Sequence, residues 1–353
     1  MSSKSPSYIK DSSKSKAKKK FDRKPDQGQQ AQATAAAASP TQGVLQNLLK
    51  YQGLYKKAES LYRADEEKVM DHFKEKDKDG KYYFTMIKKG TANDKVNALQ
   101  MMVKKAPARC LSLLQQLLTL ARHKNRKQAE GALAALRDLF TQDILKDEAK
   151  LVAFQKNERI TGAPADGAQV ANTDLVDAYV DHGIKEFYRD YVTNILVDLS
   201  KDDLEFYRKM ALDILGELIQ RKPEIEDVIL GILINKLGDS ARKVQLHATM
   251  VLCRLVKDHP QMARVIVHET FLMLQRPGLK TSQRYYAASF LNKVGSLAGK
   301  ADDGLRVELF KLYFVMFRNM LKSPQELKES LAVKKDRSKS KKQQIKEKQA
   351  AIK

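Results

Sequence analysis

Two dense runs of cations are the residues of this 353-residue chain best equipped for chemistry. Lys14, Lys16, Lys18, Lys19, Lys20, Arg23 and Lys24 crowd together near the start, and Lys334, Lys335, Arg337, Lys339, Lys341 and Lys342 near the end. Rows of ammonium and guanidinium groups neutralise phosphates and release their counterions. The result is salt-sensitive nucleic-acid binding without base readout, and the same runs can serve nuclear import. Shorter clusters lie between them: Lys88-Lys89, Lys104-Lys105, Arg122-His123-Lys124-Asn125-Arg126-Lys127, Arg221-Lys222 and Arg242-Lys243. Cations at helix C-termini also complement the helix dipole, so the residues alone leave an RNA-facing ridge and ordinary capping both open. The nucleic-acid candidates are therefore Lys18, Lys19, Lys20, Arg23 and Lys24; Arg122, Lys124, Arg126 and Lys127; Arg242 and Lys243; and Lys334, Lys335, Arg337, Lys341 and Lys342. There is no zinc-finger spacing and no aromatic-bearing sheet motif for reading bases.

Other chemistries lack their parts. No phosphate-cradling G-x-x-x-x-G-K, no G-x-G-x-x-G, no H-E-x-x-H and no C-x-x-C occurs. Lys74–Gly80 resembles the start of a calcium loop, with Glu75, Asp77, Asp79 and Gly80 at the first ligand positions, but Met86 stands where a bidentate Glu is needed. The six histidines, His72, His123, His182, His247, His259 and His268, show no metal-ligand spacing. Cys110 and Cys253 sit in leucine-rich stretches and read as small buried hydrophobes. The expectation is a protein that is not an enzyme, with no catalytic or metal site and no cofactor. The aromatic clusters Tyr82-Tyr83-Phe84, Phe187-Tyr188-Tyr191 and Tyr313-Phe314 read as core rather than as base-stacking platforms.

The elements that must position these groups are helical. Few Gly and Pro over this length argue against a turn-rich β architecture. Leu111, Leu114, Leu118 and Ala121 recur at helical spacing after Pro107; so do Ala129, Leu133, Leu136 and Phe140, and Val244, Ala248, Val251 and Leu255. A shift of 37 residues lays Asp202 on Asp239, Ala211 on Ala248, Leu215 on Leu252 and Pro223 on Pro260. Weaker copies carry their alanine at Ala98, Ala132 and Ala287. An Asp opening the helix, a small residue at its crossing and a Pro after it make the signature of a helical-pair repeat, so an all-α, HEAT/armadillo-like α-solenoid is expected.

The net charge of +22 divides along the chain. Residues 1–40 and 324–353 hold +6 each and almost no apolar matter; both are expected as disordered or, for the second, partly helical basic tails. Residues 41–323 hold the rest as the repeat domain, with a loop near 155–172 where Gly162, Pro164 and Gly167 cluster. The longest apolar run, Val228 to Ile234, is far shorter than a membrane span, and neither basic run faces bulky apolar residues, so neither a membrane nor a small-molecule substrate is expected as a partner.

Four segments, in order, resemble one known family. Gly90-Thr91-Ala92-Asn93-Asp94-Lys95, Asn235-Lys236-Leu237-Gly238-Asp239 with Lys243 and Val244, Arg284-Tyr285-Tyr286 with Phe290-Leu291-Asn292, and Tyr313-Phe314 with Phe317 are similar to motifs of the nucleolar complex protein 1 family, also called the CCAAT/enhancer-binding protein zeta family. The resemblance covers about 80–323. It implies an α-solenoid assembly factor of the nucleus and nucleolus that binds pre-rRNA in the large-subunit precursor (the pre-60S particle) and pairs with a protein like nucleolar complex protein 2. It also brings an older label as a CCAAT-box transcription factor. A helical-repeat protein–protein adaptor is the remaining alternative. Family members are longer and continue into a further domain, whose functions do not carry over to this chain.

Overall fold

A computed structural model describes residues 40–147, 149–161, 170–276, 278–297 and 303–321. The two basic tails therefore lie outside the described residues, as do Gly162, Pro164 and Gly167. The chain divides into two units, 1–48 and 49–353. Of the first, 40–48 are described, and they are helical.

Every regular element among the described residues is a helix. In order these are α1 (Pro40–Glu75), α2 (Lys78–Lys89), α3 (Ala92–Lys105), α4 (Leu111–Ala121), α5 (Arg126–Asp138), α6 (Glu158–Thr161), α7 (Asn172–Asp190), α8 (Val197–Ser200), α9 (Glu205–Arg221), α10 (Glu226–Asn235), α11 (Arg242–Asp258), α12 (Ala263–Leu274), α13 (Thr281–Leu297) and α14 (Asp303–Leu321). Pro107 starts a separate short 3-10 turn, Pro107–Arg109, and α4 begins only at Leu111. α5 and α7 run on into π-helical turns, Leu139–Ile144 and Tyr191–Leu196. There Phe140 stacks on Tyr191 at 5.6 Å between ring centroids, and the buried Tyr191 hydroxyl donates to the Leu133 carbonyl at 2.8 Å.

In the second unit the helices form two layers of the expected helical-repeat kind. One layer places α3, α5, α9, α11 and α13 side by side; in the other α4 lies beside α7, and α12 lies between α10 and α14. Apolar residues at helical spacing bury on two sides, and the repeat alanines Ala132, Ala211, Ala248 and Ala287 are all fully buried. Where α9 packs on α11, Gly216 is closely approached: a Cβ there would stand 2.5 Å from Val251 Cγ1. Small residues at the crossing thus set how near the helices come, and the apolar rows on either side fill the space between layers.

The irregular stretch between α5 and α7 starts earlier than its glycines suggest, at Leu145. Four of its apolar side chains, Leu145, Leu151, Phe154 and Ile160, are buried, while Val152 is exposed. Two cations, the buried Lys222 and the partly buried Lys185, clamp it to the turn after α9. Lys222 Nζ bonds the Leu145 carbonyl at 2.7 Å and Asp147 at 2.5 Å; Lys185 Nζ bonds the Leu151 carbonyl at 2.6 Å and Glu224 at 2.7 Å. Ile225, next to Glu224, is held at φ 47°, a left-handed conformation that a β-branched residue keeps only where its surroundings impose it.

Candidate nucleic-acid interface

The turns that open the first-layer helices share one edge. α9 and α11 run in the same direction, because contacts join their starts (Arg208 Nη1 to Asp239, 2.7 Å), middles (Asp213 to His247, 2.7 Å) and ends (Gln220 to Asp258, 2.9 Å). α5 is aligned with α9 by Arg126 to Asp202 at 2.9 Å near the start and Arg137 to Glu217 at 3.3 Å near the end. α13 joins through Gln283, whose amide donates to the Gly238 carbonyl.

Along this leading edge the repeat aspartates have one job. Asp202 accepts from the Leu204 backbone at 3.0 Å, turning the chain into α9, and also takes the Arg126 guanidinium. One repeat on, Asp239 accepts from the Ala241 backbone at 2.9 Å and takes Arg208 and, at 3.1 Å, Lys236. Each aspartate thus opens its own helix and anchors an arginine of the preceding one. The Asn235–Asp239 motif is the fullest version of this joint. Asn235 accepts from Arg276 at 2.6 Å, Lys236 bonds the Ser200 carbonyl, and the Asp239 carbonyl accepts from Gln245 at 2.6 Å. An open cleft of about 220 Å³ beside the joint is lined by Asn235, Arg276 and Gln283, whose polar groups already bond across it.

The first motif is also structural. Thr91 caps α3 by accepting from the Asp94 backbone at 3.3 Å, and the Asp94 carboxylate returns the bond to the Thr91 backbone at 3.0 Å. These bonds hold the Asp94 carboxyl below its ordinary value, the Thr91 hydroxyl contributing most. A Cβ on Gly90 would stand 2.5 Å from the Met86 carbonyl oxygen, so only glycine fits before that cap. In the third motif, Ala287, Phe290 and Leu291 are core and Tyr285 points outward.

The candidate cations separate into two groups on this edge. Arg122 bonds Asp190 and Arg126 bonds Asp202, so both tie the α4–α5 turn to its neighbours. Lys124 and Lys127, on the same turn, are exposed, and no carboxylate among the described residues pairs with them. Asn125 caps α5 through the Lys127 backbone at 3.2 Å and so fixes where Lys127 begins the helix. Arg242 and Lys243 open α11; both are exposed, and Lys243 reaches only the half-exposed Glu205, at 3.9 Å. A pair so exposed contributes little. The two groups stand two helices apart, on the order of 20 Å at 8–10 Å per helix. Between them lie Lys201, Asp202 and Asp203, so the edge is mixed in sign rather than uniformly basic. Lys18, Lys19, Lys20, Arg23, Lys24, Lys334, Lys335, Arg337, Lys341 and Lys342 lie outside the described residues.

In other clusters the exposed Lys104 meets Asp143 at 3.5 Å and the exposed Arg221 meets Glu217 of its own helix at 3.4 Å, while Lys88 and Lys89 are exposed. Lys105 meets Asp77 at 2.7 Å and Asp79 at 3.3 Å. Asp77 and Asp79 of the calcium-like stretch are thus engaged by a lysine, which with the Asp79 backbone bond holds Asp77 below its usual range. Gly80 is buried where a Cβ would meet the Phe73 carbonyl at 2.3 Å. Among the described residues no three His, Cys, Asp or Glu side chains gather as a metal-ligand set. His247 and His259 stitch α9 to α11, the latter against the Gln220 carbonyl at 2.8 Å. Burial pushes the Cys110 thiol up to about 12, far from a reactive thiolate. The aromatic clusters divide: Tyr188 and Tyr191 are core, whereas Tyr82 and Phe314 are exposed, which corrects the expectation for those two.

Comparison with known proteins adds the lineage. A family model described as DNA alkylation repair enzyme matches residues 89–289. The ribosome biogenesis protein NOC1 of Chaetomium thermophilum is 31% identical over 256 residues, 69% of this chain and 24% of that protein. The CCAAT/enhancer-binding protein zeta of Mus musculus is 28% identical over 275 residues, 74% of this chain and 26% of its own length. Nucleolar complex protein 1 of Drosophila melanogaster is 25% identical over 244 residues, covering 68% and 20%. The chain spans about a quarter of the length of these curated relatives. Their names are those of ribosome-biogenesis and CCAAT/enhancer-binding factors, not of enzymes. The chain carries the helical fold of the matching model and belongs to the nucleolar complex protein 1 / CCAAT/enhancer-binding protein zeta family.

Proposed function

We propose that this chain is a non-enzymatic assembly factor of the large ribosomal subunit, working in the nucleus at the nucleolus. It holds pre-rRNA through phosphate contacts and a protein like nucleolar complex protein 2 through its helical array. The observation that carries the RNA reading is the division of cations on the leading edge. Arg126 and Arg208 are engaged within the fold, while Lys124, Lys127, Arg242 and Lys243 point outward beside them. Such groups contact phosphates without reading bases, and the basic runs of the two tails add to the same term.

The test is a salt series of RNA affinity on the full chain. Reversing Lys124, Lys127, Arg242 and Lys243 to Glu reduces the slope of log affinity against log salt by about 3, at about 0.7 per lost single-strand phosphate contact. An unchanged slope assigns RNA affinity to the tails alone and leaves the adaptor reading. The CCAAT-box reading requires that a specific duplex outcompete a random one; the proposal expects no such preference. In cells the protein co-sediments with large-subunit precursors, and its absence from them refutes the assembly role.

A further inference from the structure

α14 closes the described array with one covered face and one open face. On the covered side Leu305, Leu309 and Leu312 are buried, and Gly295 of α13 admits Leu309 so closely that a Cβ there would lie 3.2 Å from its Cδ1. On the open side Val307, Phe310, Phe314 and Phe317 are 53, 66, 71 and 59% exposed. Single exposed apolar residues are ordinary, but an unbroken stripe of them marks a contact surface. Their steps of 3, 4 and 3 are the a/d seam of a heptad, the pattern that pairs with another helix.

The flanks specify the occupant. Exposed Lys311 and Arg318 each follow a seam phenylalanine, and no acidic residue takes a flanking heptad position. Two copies pairing through this seam would set cations against cations, on a chain already carrying +22. A helix with Asp or Glu at its own flanks is attracted instead. The interface would also be continuous with one already built, since α12 covers α10 and α14 covers α12.

We infer that the α14 seam docks an amphipathic helix of a partner protein, with apolar residues in heptad spacing and carboxylates along their flanks. This rests on the reading of the array as a partner-binding scaffold but not on the RNA contact. The probe is a labelled synthetic helix of about three heptads with Leu at the seam and Glu at the flanks, titrated with the full chain by fluorescence anisotropy. It binds, and its counterpart with Lys flanks binds at least about tenfold more weakly. Replacing Phe310, Phe314 and Phe317 by Ser abolishes binding while the melting temperature and circular dichroism stay unchanged. Lys311→Glu with Arg318→Glu reverses the preference between the two peptides. Failure of the acidic peptide to bind, or binding that survives the triple variant, overturns the inference. So does a dimer in sedimentation equilibrium that the triple variant dissolves, or a triple variant that loses RNA affinity. A failed peptide titration with an intact RNA salt slope removes this surface and leaves the RNA contact standing.

Discussion

The joint between α9 and α11 and the outer face of α14 use similar helices to opposite effect. At the joint side chains meet fixed counterparts: Gly216 meets Val251, Arg208 meets Asp239, His247 meets Asp213, and Ala248 is fully enclosed. On α14 the same kind of amphipathic helix finds a neighbour on one side, and on the other leaves Phe310, Phe314 and Phe317 in water. At the joint a neighbouring helix covers these groups, whereas no described helix covers the outer face of α14. Cations follow the same rule. Arg126 and Arg208 face a following repeat and become part of the fold, whereas Lys124 and Arg242 are exposed.

Substitutions at the two places should separate widely. Asp239→Ala carries the largest cost, about 3–5 kcal/mol in urea unfolding, because it leaves a mostly buried Arg208 without its counter-charge. A loss below about 1 kcal/mol would mean that the joint is open to solvent. Ala248→Leu and Gly216→Ala follow at roughly 1–3 kcal/mol each, from bulk forced into the crossing; unchanged melting would deny the close helix approach. Thr91→Ala removes a cap and costs about 1 kcal/mol. Its partner Asp94 titrates below its ordinary 3.8, so the cap's contribution is complete above that pH and is lost as pH falls through the lower folded value. The stability gap between the wild type and Asp94→Asn should therefore narrow in acid. Phe314→Ser is the smallest, within about 0.5 kcal/mol of wild type, and a large loss there would show the α14 face to be packed after all.

Much of the fold was legible in advance because helical periodicity and small-residue spacing are local signals. Ala211, Ala248 and Ala287 could be named as crossing points from their intervals alone, and all three are enclosed. The recurrence of Asp202 and Asp239 was visible too, but their work was not: the arginines that complete them lie 76 and 31 residues away. The motifs identified the family for the same reason that they misdirect a search for an RNA site. Asn235, Lys236 and Asp239 are joint residues, and the outward Lys124 belongs to no motif. The exposure of Tyr82 and Phe314 escaped the sequence because an aromatic cluster reads the same whether or not a neighbour covers it.

Composition and pattern by themselves determined that this protein is helical, that it repeats, that its charge is concentrated toward its ends and that it resembles the nucleolar complex protein 1 family. Each of these depends on residues near one another in the chain. Tertiary structure alone decided which cations pair within the fold, how closely Gly216 and Gly90 are approached, where Ile225 takes a left-handed backbone beside a buried Glu224, and which face of α14 is exposed. Those outcomes depend on what the fold brings alongside. A charge or an aromatic ring acquires its role from the neighbour that neutralises or covers it, and that neighbour comes from a distant part of the sequence.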